Sequence, residues 1–115
     1  MKRGEVRVAA LRPRSGSEQR GRRPVVVVSH DAFNATPGWR SIIVVPISRS
    51  TRQTRRGPTA VALAAGVGGL DHDSIALCHQ VTTLDRSKLQ ARLGELGPRE
   101  LEAIESGLRA ALDLI

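Results

Sequence analysis

A polar, arginine-rich stretch, Gly16-Ser17-Glu18-Gln19-Arg20-Gly21-Arg22-Arg23-Pro24, runs directly into Val25-Val26-Val27-Val28. Pro24 biases Arg23 away from helical backbone angles and toward extended ones. The four valines favour strand and read as buried on both faces. Arg23 is therefore expected at the rigid rim of a sheet, beside a loop that brings the Ser17 hydroxyl, the Glu18 carboxylate and the Gln19 amide. A guanidinium held there suits an anionic substrate, because its planar fork contacts two oxygens of a phosphate at once.

A second basic stretch, Arg49 to Gly57, holds Arg49, Arg52, Arg55 and Arg56 and no large apolar residue. It reads either as an arm that closes on a phosphate backbone or as a solvated turn between strands. Residues 1–56 carry 13 Lys/Arg against 3 acidic residues, a net of +10, whereas residues 57–115 carry 5 against 8, a net of −3. Such polarity points to a basic face for a polyanion, although arginine bias across a genome would raise the pI as well. Phe33 and Trp39 are the only aromatic residues. The chain thus has almost no base-stacking platform of the kind used by single-strand binders, so arginine contacts and a shaped groove must carry most of any nucleic-acid binding. His30, His72 and His79 form no catalytic or metal-binding spacing, and Cys78 reads as a small core residue.

The elements that must position these groups are mostly strands. Strand-like runs are expected at Glu5 to Leu11, Pro24 to Ser29, Ser41 to Ser48, Thr59 to Leu63 and Ser74 to Leu84. Pro46 lacks an N–H and should lie near an edge or irregularity. Asp85-Arg86-Ser87-Lys88-Leu89 reads as a helix start with Asp85 or Ser87 as cap. Leu101, Ile104, Leu108, Leu112 and Ile115 then recur at helical spacing, with Pro98 near the first turn. Strands followed by helices suggest an antiparallel sheet or barrel with helices packed at one end.

A chain of 115 residues fits one domain spanning 1–115. The longest uncharged apolar stretch, Ala60 to Val67, is too short to cross a bilayer. The chain opens with Lys2-Arg3 followed by strand-like residues rather than a leader, and it has one cysteine. These features suggest a cytoplasmic protein without a membrane partner.

Taken in order, Arg3-Gly4-Glu5-Val6, Gly16-Ser17-Glu18-Gln19, Arg23-Pro24, Asp31-Ala32-Phe33-Asn34, Val44-Val45-Pro46-Ile47-Ser48, Asp73-Ser74-Ile75, Gln80-Val81 and Leu84-Asp85-Arg86-Ser87-Lys88-Leu89 resemble the MazF/PemK family of toxins over nearly the whole chain. The resemblance implies an SH3-like antiparallel barrel (PemK/CcdB-like) with a C-terminal helix, usually a homodimer. It implies a metal-independent, cofactor-free endoribonuclease that cuts single-stranded RNA at short sequences and is neutralised by a cognate, MazE-like antitoxin.

By the same resemblance, Arg23 matches the family's catalytic arginine and Ser48 its catalytic hydroxyl, usually a threonine. Serine keeps the hydroxyl but lacks the β-branching that restricts threonine's rotamers. An unassisted serine is a weak base, so Glu18 is the candidate for proton removal. Ser17 and Gln19 contact RNA from the loop or cap a turn; Arg49 is a backbone contact; Gln80 lines the groove or occupies an exposed strand position. Many relatives carry arginine where this chain has Thr82, which removes one expected contact. Two other readings compete: a CcdB-like inhibitor of a protein target such as DNA gyrase, and a family member that binds RNA without cutting it. The first is disfavoured by the expected burial of Leu101, Ile104, Leu108 and Leu112 in the protein's own core.

Overall fold

The computed structural model describes residues 1–12, 21–50, 52 and 57–115. Seven strands form one antiparallel, barrel-like sheet: β1 (Glu5–Leu11), β2 (Gly21–Val27), β3 (Ser41–Ser48), β4 (Ala60–Leu63), β5 (Ser74–Leu77), β6 (Thr82–Asp85) and β7 (Leu89–Glu95). A one-turn helix α1 (Asp31–Asn34) follows β2, and α2 (Pro98–Leu112) ends the chain. The sheet path is β4-β5-β3-β2-β1-β7, with β6 also pairing β3.

The valine run behaves as its composition dictates. Val25, Val26 and Val27 are all fully buried, but on opposite faces of β2. Val26 joins Val6, Val45, Ile47, Leu63, Ala76, Cys78 and Ile104 in the cluster beneath α2. Val25 and Val27 join Ala9, Leu11, Ile42, Val44 and Leu89 on the other side. Each such side chain contributes about 1.5–3 kcal/mol by leaving water.

β3 is the axis of the sheet. One of its edges pairs β2; the other pairs β6 along Ser41–Val44 and then β5 at Ile47 and Ser48. Pro46 falls where that second edge changes partner, so its missing N–H interrupts no ladder there. The single strand expected from Ser74 to Leu84 is accordingly two, separated by a 3-10 turn at Cys78–Gln80. The break is driven by packing: Cys78 is buried under α2, where a β-carbon on Gly107 would lie 2.6 Å from its sulfur.

The segment after Asp85 also departs from expectation. Asp85 does cap, accepting the Ser87 N–H at 2.9 Å, but only one 3-10 turn (Arg86–Lys88) follows. Leu89–Glu95 is strand β7, pairing with β1 across two register shifts, because Leu89 buries in the sheet core opposite Ala9. Tertiary burial here overrides a local helix signal.

α2 forms where expected, with Pro98 in its first turn. Ile104 is fully buried and Leu108 packs on the same cluster. Leu112, however, is 52% exposed, contrary to the expected burial, and Ile115 beyond the helix is fully exposed. The helix ends at a left-handed Asp113 (φ 56°), so its last turn and the tail lie outside the core.

The sheet does not close by hydrogen bonding; its path ends at β4 and β7. A turn after β4 packs on β7 instead. Gly69 has φ +77°, and a β-carbon there would lie 2.0 Å from the Leu93 carbonyl oxygen. Only glycine lets the two backbones approach this closely.

Candidate active site

Arg23 lies in β2, half-buried, opposite Ala9 of β1. Ser48 is the last residue of β3 and only 5% exposed. The β2–β3 register runs Val27↔Val44, Val26↔Val45, Val25↔Pro46. Arg23 lies two residues beyond Val25 on β2 and Ser48 two beyond Pro46 on β3, at the same end of this pair. By strand alternation both project from the face that carries Val25 and Val44. Ser48 is in turn paired with Ile75 of β5, and Ile75 with Ala62 of β4. A row thus runs from Ser48 through Ile75 to Ala62, and on the other side of the β2–β3 pair Arg23 is in register with Ala9.

The Ser48 hydroxyl accepts the Ser50 N–H at 3.0 Å. This local bond orients the oxygen and leaves its proton to donate. The hydroxyl is arranged as a hydrogen-bond donor to an incoming oxyanion.

Both basic stretches depart from this end of the sheet. β1 ends and β2 begins at the Leu11↔Gly21 pair, and β3 ends at Ser48. Arg12, Arg22, Arg49 and Arg52 are exposed around it. The result is a positive rim with Arg23 and Ser48 seated inside it, suited to a polyanion.

Of the remaining candidates, Arg49 follows Ser48 directly and is exposed. Gln80 is half-buried at the end of the 3-10 turn, which leads into Thr82, the first residue of β6. Thr82 is in register with Val44, so it shares the Arg23–Ser48 face. Ser17, Glu18 and Gln19 lie outside the described residues, as do Thr51 and residues 53–56 of the second basic stretch.

The histidines have structural partners. His30 caps α1, its Nδ1 accepting the Ala32 N–H at 2.9 Å. His72 Nδ1 is 2.7 Å from Asp71, and His79 Nδ1 is 3.3 Å from the Thr59 hydroxyl. Burial pushes the Cys78 thiol up to about 11, so it is no nucleophile at neutral pH.

The sequence reading missed one feature: a cleft of about 380 Å³ beyond the end of β3, lined by Arg49, Ala62, Leu63, Ala64, Asp73, Ser74 and Ile75. Asp73 Oδ1 accepts the Ala65 N–H at 2.9 Å, which fixes the carboxylate at the cleft wall. Ser74 Oγ donates to the His72 carbonyl at 2.8 Å. Asp71 stands nearby, its carboxyl held below the usual range by the His72 hydrogen bond and charge and, more weakly, by Arg49. The signal in sequence was Asp73-Ser74-Ile75, but nothing there tied it to Ser48; the β3–β5 register does.

Known proteins similar to this chain match it over nearly its whole length. The family model for the PemK-like, MazF-like toxin of type II toxin–antitoxin systems matches residues 2–112. A protein from Staphylococcus saprophyticus, Endoribonuclease MazF, is 33% identical over 114 residues, covering 99% of this chain and 92% of the relative. MazF from Deinococcus radiodurans has a similar structure, with a TM-score of 0.77 at 27% identity, over 96% of this chain and 94% of that one. An endoribonuclease in complex with its cognate antitoxin, from Mycobacterial species, gives a TM-score of 0.73 at 26% identity, covering 98% and 93%.

Proposed function

Because this chain belongs to the PemK-like, MazF-like toxin family of type II toxin–antitoxin systems and is of the endoribonuclease type, we propose that it cuts single-stranded RNA by internal attack of a ribose 2′-hydroxyl, without a metal ion and at short preferred sequences. The observation that most supports this reading is the β2–β3 register, whose alternation puts Arg23 and Ser48 on one face at the same end of the pair.

The chemistry is a transesterification. The 2′-hydroxyl loses its proton and its oxygen bonds to the adjacent phosphorus. Negative charge grows on the non-bridging oxygens, and the bond to the 5′-oxygen breaks. The products are a 2′,3′-cyclic phosphate and a 5′-hydroxyl, the latter formed when the leaving oxygen takes up a proton. Arg23 stabilises the growing charge with its paired N–H donors. A guanidinium holds its protons too tightly to be an efficient acid, so its part is electrostatic. Ser48 donates its hydroxyl proton in a hydrogen bond to the same phosphoryl group. Glu18 is the candidate that removes the 2′-proton. Ser17, Gln19, Arg49 and Gln80 hold the flanking nucleotides.

Relatives of this fold have been solved with antitoxins bound, which supports a cognate MazE-like antitoxin for this chain. The proposed unit is one toxin domain over residues 1–115, acting as a homodimer in the cytoplasm. A CcdB-like inhibitor role has no observation in its favour. The exposure of Leu112 does weaken one argument against it, but the family match and the shared face of Arg23 and Ser48 support cleavage.

Incubating purified protein with RNA in EDTA tests the reading. Cleavage leaving cyclic-phosphate ends, lost in Arg23→Ala, is the expected result. Intact RNA, or equal cutting by the variant, would overturn it.

A further inference from the structure

We infer that the cleft between Arg49, Ala62 and Asp73 is a base-reading pocket that selects guanine in the nucleotide adjoining the cut. The inference rests on the endoribonuclease reading and names what determines its specificity.

Position comes first. Ile75 forms the cleft wall and is the cross-strand partner of Ser48, and Ala62 is the next residue along that row. Adjacent strands lie about 4.8 Å apart, so the pocket begins one strand from Ser48 and extends past the next. A phosphate held between Arg23 and Ser48 therefore has its neighbouring nucleotide directed over Ile75 into the cleft.

The lining then selects the ligand. Ala62 and Ile75 supply apolar walls against which a flat ring can lie, and the volume of about 380 Å³ admits a purine. Two charged groups of opposite sign face the space. Asp73 is an acceptor whose Oδ1 takes one backbone N–H, leaving Oδ2 and a further Oδ1 lone pair. Arg49 is a forked donor.

Guanine matches both at once. Its Watson–Crick edge presents the N1 and N2 hydrogens side by side, which a carboxylate can accept as a pair. Its O6 and N7 accept from an arginine. Adenine and cytosine each bring only an amino donor to a carboxylate, and uracil brings one imino hydrogen between two carbonyls that Asp73 repels. Single-stranded RNA is read through such edges once its bases are unstacked.

The test uses purified full-length protein and oligoribonucleotides randomised on both sides of the cut, with the ends sequenced. One position next to the cut is expected to favour guanine at least about tenfold, in line with 1–3 kcal/mol per bidentate contact. Replacing that guanine by inosine, which lacks the 2-amino group, should slow wild-type cleavage about tenfold. The same replacement should have little effect on Asp73→Asn, whose amide oxygen can still cap Ala65. Ala62→Leu fills the cleft from an exposed position and should also abolish the guanine preference; thermal unfolding checks that both variants are folded. Cleavage that depends on Arg23 yet shows no guanine bias overturns the pocket and leaves the endoribonuclease reading intact. A bias unchanged in both folded variants overturns it too. Absence of any cleavage overturns both readings.

Discussion

At one end of the β2–β3 pair, Arg12, Arg22, Arg49 and Arg52 stand exposed around the seat of Ser48. At the other end, roughly 23 Å away along the eight residues of β3, arginines are absorbed by the fold. Arg86 donates to the Trp39 carbonyl and to the Asn34 carbonyl, both at 2.8 Å. Arg40 forks onto Asp85, whose carboxyl is held far below its ordinary range by that contact and by Ser87. Phe33 and Trp39, stacked with ring centres 5.0 Å apart, sit in the same loop. The aromatic pair is thus at the structural end of the sheet, remote from the seat where RNA would react. Arginine serves both ends: around Ser48 Arg12, Arg22, Arg49 and Arg52 stand exposed, and at the other end Arg86 and Arg40 bond carbonyls and a carboxylate of the fold.

Substitution at the two ends should separate activity from stability. Arg23→Ala has the largest expected effect on chemistry, a loss of about 10²–10³ in cleavage rate, with the melting temperature little changed. Single-turnover cleavage alongside calorimetry checks it; a large drop in melting temperature would break the contrast between the ends.

Next comes Glu5, a buried carboxylate shared by Arg7 and Arg92 at 3.1 and 2.9 Å. Desolvation by burial raises its pKa, but the Lys2 N–H and the Arg7 charge and hydrogen bond outweigh this, so the net shift is below its ordinary 4.5. A group with a lowered folded-state pKa contributes stability above its unfolded value and loses it as pH falls through the folded one. Stability should therefore decline as pH drops below about 4.5. Glu5→Gln should cost about 1–3 kcal/mol at neutral pH by weakening the charged acceptor of Arg7 and the Lys2 N–H, while Arg92 keeps Glu95, and should flatten the acid limb. Urea unfolding at several pH values reads both; an unchanged acid limb would remove Glu5 from the account.

Arg86→Ala should cost about 1 kcal/mol, because its bond to the Asn34 carbonyl is part-buried and its bond to the Trp39 carbonyl is exposed, while the cleavage rate of the folded fraction is retained. Chemical denaturation and a cleavage assay on one sample decide it, since a loss of rate without a loss of stability would put this end in the active site. Arg40→Ala should change unfolding free energy by under about 1 kcal/mol, because the pair is exposed to solvent; a larger effect would mean that the loop is held mainly by that bridge.

The parts of the fold readable in advance were those where local chemistry and tertiary packing agree. Glu5–Leu11 and Ser41–Ser48 form strands with the expected bounds because their β-branched and apolar residues bury in the same sheet that their propensity favours. Asp85 shows the opposite case. Its cap forms as local rules require, yet Leu89 gains more from the core beside Ala9 than a helix turn would return. Leu112 keeps the helical spacing but projects beyond the sheet that would have covered it. A period along the chain says which side chains share a face, not where the opposing surface ends.

The anion-binding character of Arg23, its extended backbone before Pro24 and the buried strand that anchors it all follow from residues within a few positions of one another. Backbone sterics and side-chain shape act at that range. The meeting of Arg23 with Ser48, separated by β2, α1 and most of β3, depends on strand register. So does the position of Asp73 one strand beyond Ser48. Register is set by burying Val25 and Val44 on one face and Val26 and Val45 on the other, since a slip of one residue would exchange the two sets and break the packing of both clusters. The core thus selects the pairing, and the pairing assembles the site.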